Sequence, residues 1–145
     1  MNVSSKGRYA LRALTHLAGS FVKNENVPVS IKEISDKEDI SNRYLENIFV
    51  ALRKAGIVKS VKGEKGGFKL ACSPAAVSVF DVLKAVEKET APTKCSADLK
   101  FCGNAEKCGI RNVWVRLDRL QAGFLKKTTL EEVTGTHNAM NKRAR

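Results

Sequence analysis

Residues 40–71 read ISNRYLENIFVALRKAGIVKSVKGEKGGFKLA, and the order of signals in this stretch decides the fold. Ser41 is an N-cap candidate for a helix that runs to about residue 55. Leu45, Ile48, Phe49 and Leu52 recur at helical spacing and give that helix one apolar stripe. Gly56 is a natural stop, because a glycine just past a helix takes the left-handed conformation without strain. Residues 57–62 are then β-rich, 63–67 (GEKGG) form a turn, and 68–71 form a return strand.

Upstream, Ser30-Ile31-Lys32-Glu33 has the pattern of a capping box and opens a short helix with Ile31 and Ile34 inward. It ends in the polar stretch 36–39. Two helices of roughly 8 and 15 residues with a tight connection have the dimensions of a helix-turn-helix. Residues 4–21 form an earlier helix on Ala10, Ala13, Leu14, Leu17, Ala18 and Phe21. Residues 23–26 break it, and Pro28 keeps 27–29 extended. Three helices followed at once by a hairpin make a winged helix-turn-helix.

Downstream, Ser78 caps a helix over 79–88 with Val79, Val82, Leu83 and Val86 inward. Residues 90–108 lose periodicity. Residues 110–126 regain it: Val113, Leu117, Leu120 and Phe124 make a heptad-like seam, with Ile110, Trp114 and Leu125 beside it. Thr128 or Thr129 caps a last turn over 130–133. The expected fold is mainly α. A winged helix-turn-helix DNA-binding domain spans 1–89 and a cysteine-bearing loop 90–109. A long dimerisation helix with a final short helix spans 110–134, and a disordered polar tail 135–145.

The chain of 145 residues is one domain's worth, and 26 Lys+Arg against 15 Asp+Glu give a net charge of +11. The excess is spread over both halves, so it belongs to a folded surface and points to a polyanion such as nucleic acid. No apolar run approaches the ~18 residues of a membrane span. Lys6, Arg8 and Arg12 interrupt any signal-peptide core, so a cytoplasmic location is expected. An enzyme is not expected. There are two histidines and no Ser–His–Asp arrangement, and the GEKGG turn lies between strands where a phosphate loop would lie between strand and helix.

With the stripe of the third helix inward, Asn42, Arg43, Glu46 and Asn47 face out, and Tyr44 sits at the edge. The N-terminal part of a recognition helix is the part that reaches base edges. Arg43 can pair bidentately with guanine, Asn47 with adenine, and Glu46 can accept from cytosine. Ser41, Tyr44 and the amides at the helix start suit phosphates. Lys62, Gly63, Glu64 and Lys65 form a narrow basic tip of the kind that enters a minor groove. Each residue alone would be an ordinary solvated polar group; topology, charge and tip composition together point to double-stranded DNA.

Cys95, Cys102 and Cys108 are separated by six and five residues. A cytoplasmic chain argues against disulfides, and the absence of CxxC pairs argues against zinc. Three thiols on one loop suit a larger group, an iron–sulfur cluster being the natural one. Lys94, Lys100 and Lys107 would favour the thiolates. Cys72 reads as a buried small hydrophobe.

The opening SSKGRYALRAL, the 40–71 segment and the cysteine loop followed by VW-x2-L resemble the Rrf-type transcription regulators, and within them the iron–sulfur cluster-assembly repressors. The resemblance covers about residues 1–134. It implies a homodimeric winged-helix repressor that binds a pseudo-palindromic operator, with the two long helices packed across the two-fold axis. It places Ser41, Arg43, Tyr44, Glu46 and Asn47 in the recognition helix and Lys62 with Gly63 at the wing. It makes Cys95, Cys102 and Cys108 the ligands of a two-iron, two-sulfide (2Fe–2S) cluster. Glu46 falls where the resembled regulators discriminate operator classes, so cluster gain or loss would reorder the loop and bias Glu46.

Two features depart from the family pattern. The first cysteine interval is one residue longer, and Arg111 stands where the family's histidine ligand is expected. Where relatives take an aspartate from the partner's first helix, this chain has Arg8. Arginine stays protonated and is a very poor ligand. The fourth ligand stays open among Asp98, Glu106, Asn112, His16, Cys72, an external thiol and water. The alternative is a cluster-free repressor of sulfur metabolism controlled by a thiol switch or by a partner protein.

Overall fold

The computed structural model describes residues 2–23 and 26–144. Its elements are α1 (Ser5–Lys23), α2 (Ile31–Glu38), α3 (Asn42–Lys54), β1 (Val58–Val61), β2 (Gly67–Leu70), α4 (Val79–Val86), α5 (Lys94–Ala97), α6 (Gly109–Lys127) and α7 (Leu130–Arg143). The order α1–α2–α3–hairpin is the winged helix-turn-helix expected from the sequence.

The core forms around α1, whose Ala10, Ala13, Leu14, Leu17 and Ala18 are inaccessible to solvent. Leu45, Ile48, Phe49 and Leu52 of α3 are equally buried and join the same cluster with Ile34, Val58, Leu70 and Val82. Each such side chain contributes about 1.5–3 kcal/mol by leaving water, and that fixes which face of α3 is left for a ligand. The helix starts are set by side-chain caps. Ser30 accepts the Glu33 N–H, Ser41 the Tyr44 N–H, and Ser78 forms a two-way capping box with Asp81. The box at Ser30 is only half made, because the Glu33 carboxylate pairs instead with Lys37 at 2.7 Å.

β1 and β2 pair antiparallel, Val58 opposite Leu70 and Val61 opposite Gly67. Val29 adds a third short rung, exchanging two 2.8 Å hydrogen bonds with Phe68. Gly67 (φ 151°) permits this approach, since a Cβ there would collide with the Val29 carbonyl. Phe68 packs on Phe49 with ring centroids 4.6 Å apart. The wing is thereby locked to the back of α3, and Gly56 (φ 74°) makes the turn between them.

Three expectations are corrected. Residues 135–143, expected as part of a disordered tail, continue helix α7 to Arg143. Thr129 caps that helix by accepting the Glu132 N–H, Glu131 and Glu132 lie in its positive first turn, and Lys142 and Arg143 in its negative last turn. Its start is docked by Val79 N–H to Thr128 C=O and Leu130 N–H to Val77 C=O, with Leu130 fully buried. The helix expected over 79–88 ends at Val86. Cys72, expected to be buried, is exposed, because it follows β2 outside the pleated face that carries Val58 and Leu70 inward.

Candidate nucleic-acid interface and cysteine loop

Burial of the α3 stripe leaves Asn42, Arg43, Glu46 and Asn47 exposed together on its first two turns. Ser41, also exposed, holds the helix start through its 3.3 Å bond from the Tyr44 N–H. Tyr44 is half-buried, its ring edge-on to Tyr9 at 5.8 Å, and the Arg12 guanidinium lies 5.7 Å from the Tyr9 ring. Arg43, Glu46 and Asn47 take part in no ion pair among the described residues. They form a polar face able to donate to and accept from a base edge.

The presentation of α3 depends on a network the sequence did not announce. Glu38, its side chain 9% exposed, accepts from Arg12 Nε at 2.7 Å and from His16 Nε2 at 2.6 Å. The Arg12 guanidinium also donates to the Glu38 carbonyl. These bonds tie the end of α2 to α1, immediately before the left-handed Asp39 (φ 53°) that turns the chain into α3. Lys62, Gly63, Glu64 and Lys65 are exposed at the wing tip. Gly63 (φ 110°) shapes that tip and accepts the Gly66 N–H at 3.0 Å. The expected DNA-facing residues thus lie on two adjacent exposed features, α3 and the wing.

The cysteine loop is built from α5 and two short 3-10 turns. Cys95 lies in α5 and is half-buried, Cys102 is exposed, and Cys108 is half-buried at the start of α6; all three are free thiols. Cys95 Sγ is 3.3 Å from Thr93 Oγ1. Among the described residues no three His, Cys, Asp or Glu side chains converge on a point that could hold a metal ion. Arg111 serves another purpose here, its Nε donating to the Cys95 carbonyl at 2.7 Å and tying α5 to α6. His16 is held by Glu38, and Asp98 accepts the Lys100 N–H. The donor set suits an iron–sulfur cluster in kind, three free soft thiols on one segment, and is one ligand short in number.

Two further features bear on the site, the first of which escaped the sequence reading. The Glu87 carboxylate, just past α4, accepts from Ser4 N at 3.0 Å and Ser4 Oγ at 2.8 Å. It thereby supplies negative charge at the start of α1, which has no acidic residue in its own first turn. Gly7 makes room for it, since a Cβ there would collide with Glu87 Oε1. Nothing local in the sequence joins residues so far apart. The second feature is α6, which has no buried residue: Leu120 and Phe124 are 74% and 69% exposed, and Ile110 and Val113 are exposed beside them. No helix among the described residues is long and apolar enough to cross a membrane.

Comparison with known proteins agrees with this architecture. The transcriptional regulator IscR of Klebsiella pneumoniae is 34% identical over 97% of this chain and 84% of its own length. The global cysteine regulator CymR of B. subtilis superposes with a TM-score of 0.75 at 32% identity, covering 94% of this chain and 98% of its own. T. potens IscR superposes with a TM-score of 0.69 at 32% identity, covering all of this chain and 89% of its own. The sequence profile of the Rrf2 family, described as iron-dependent transcriptional regulators, matches residues 3–136. The chain is therefore a DNA-binding transcriptional regulator rather than an enzyme, and it belongs to the Rrf2 family.

Proposed function

We propose that this chain is a homodimeric, sequence-specific repressor that binds a pseudo-palindromic operator and responds to iron–sulfur status through its cysteine loop. The observation that carries the reading is the exposed set Arg43, Glu46 and Asn47 on the first turns of α3, beside a wing tipped by Lys62 and Gly63. Arg43 reads guanine, Asn47 reads adenine and Glu46 accepts from cytosine. Ser41, Tyr44, Lys62 and Gly63 hold the backbone. The exposed apolar seam of α6 supports dimerisation, since such a face gains by packing on its two-fold copy. Two winged domains then meet successive major grooves.

Cys95, Cys102 and Cys108 would hold the cluster, which when bound supplies an iron- and redox-dependent charge on the loop. Arg111 fixes Cys95 against α6, and Glu87, placed just ahead of the loop, fixes the start of α1. A change in loop order therefore has a short route to the DNA-binding domain. The second reading, a thiol switch, is supported by the exposed free thiol of Cys102 on the loop and by the likeness to CymR, described as a cysteine regulator.

Anaerobic purification with iron and acid-labile sulfide assays separates the two. About two irons and two sulfides per chain with absorbance above roughly 400 nm supports the cluster. A colourless dimer that forms reversible disulfides and still binds DNA supports the switch. For the DNA reading, affinity for duplex DNA falls steeply with salt, because lysine–phosphate contacts release counterions. Salt-independent binding contradicts it.

A further inference from the structure

The wing carries charge beyond its tip. Within residues 58–70 there are four lysines, at 59, 62, 65 and 69, against the single acid Glu64. The strand register makes Lys59 and Lys69 direct cross-strand partners. Val58 and Leu70 are buried, and Phe68 packs on Phe49, so the alternation of the pleat sends Lys59 and Lys69 to the opposite, outer face. Lys59 is exposed and Lys69 half-exposed, and neither makes an ion pair among the described residues. Directly opposed residues on one face have Cβ atoms about 5 Å apart, and like charges there destabilise a hairpin. No carboxylate among the described residues pairs with either ammonium, so an anion shared between the two would offset a repulsion that otherwise only solvent and salt screen.

We propose that Lys59 and Lys69 form a phosphate-binding site on the outer face of the wing, which grips the DNA backbone flanking the segment read by α3. The proposal rests on the DNA-binding reading above. Lys59 precedes the tip residue Lys62 by three positions, about 10 Å at 3.3 Å per residue. With the tip lodged at a groove, a pair this close behind it on long flexible stems is within reach of the phosphates that border the groove. Two ammonium groups without forked donors recognise charge rather than a base, so the site adds affinity and no sequence preference.

The test uses the full chain, wild type and Lys59→Gln/Lys69→Gln, in anisotropy titrations over a salt series. The duplexes carry a selected operator, either trimmed at its ends or extended by about five base pairs. On the extended duplex, the double variant should bind all sequences more weakly, with a salt slope less steep by roughly 1 per winged domain, one shared phosphate being lost. On the trimmed duplex the two proteins should converge. The unbound variant should melt roughly 1–5 °C higher, since the opposed charges are gone. A slope and affinity equal to wild type on the extended duplex overturn the lysine site while wild-type binding keeps the DNA reading intact. Failure of the wild type to bind any duplex overturns both.

Discussion

Helices α3 and α6 carry apolar stripes of similar regularity, yet the structure treats them in opposite ways. Leu45, Ile48, Phe49 and Leu52 of α3 are fully enclosed by α1, α2, α4 and the hairpin. Leu120 and Phe124 of α6 stand about three-quarters open to water. Periodicity therefore reports that a face will be covered but not by what. For α3 the cover comes from the same chain, and its opposite face is free for DNA. For α6 the single chain supplies no cover, and in the proposed dimer a second copy supplies it.

The comparison can be broken most severely at Phe49. Phe49→Ala should cost about 3–5 kcal/mol of stability, read by chemical denaturation, and it should also loosen the wing, since Phe68 loses its packing partner. A loss near zero would mean that the α3 stripe does not anchor the domain. The reciprocal change on α6, Leu120→Asp with Phe124→Asp, should leave the monomer fold and thermal midpoint little changed. Its sedimentation should shift to the monomer, and operator affinity should fall about 100-fold or more as two-site binding is lost. Unfolding of this variant would instead place the seam inside the protomer.

Arg43→Ala tests the free face of α3. It should cost about 1–3 kcal/mol of operator binding and relax preference at one base pair per half-site. Uniform weakening on all sequences would make Arg43 a phosphate contact. The smallest stability effect belongs to the loop. Cys102→Ala replaces an exposed thiol and should change stability by less than about 0.5 kcal/mol, while removing any iron-dependent visible absorbance. Absorbance that persists would remove Cys102 from the ligand set.

The elements of the winged domain were legible because their signals are local: Ser41 before a periodic stripe, Gly56 after it, and a glycine-rich turn between two short β-rich runs. Long-range partners were not legible. Glu38 gathers Arg12 and His16 from another helix, and Glu87 reaches Ser4 across most of the chain; no spacing rule connects such residues. The α7 segment is hidden from the sequence for a different reason. Its composition is polar and contains Gly135, but its cap, its charge order and the burial of Leu130 and Thr134 outweigh weak intrinsic propensity. Arg111 shows the limit of reading by resemblance. Its position suggested a missing ligand, and its geometry shows a tie between α5 and α6.

The most direct test of the central claim is selection of duplex DNA from a random library by the full-length protein. The account predicts enrichment of a two-fold symmetric sequence whose half-sites are centred about one helical turn apart, with a G·C preference in each half that Arg43→Ala relaxes. Enrichment of no sequence, or of a single unpaired half-site, would contradict a dimer that reads DNA through α3.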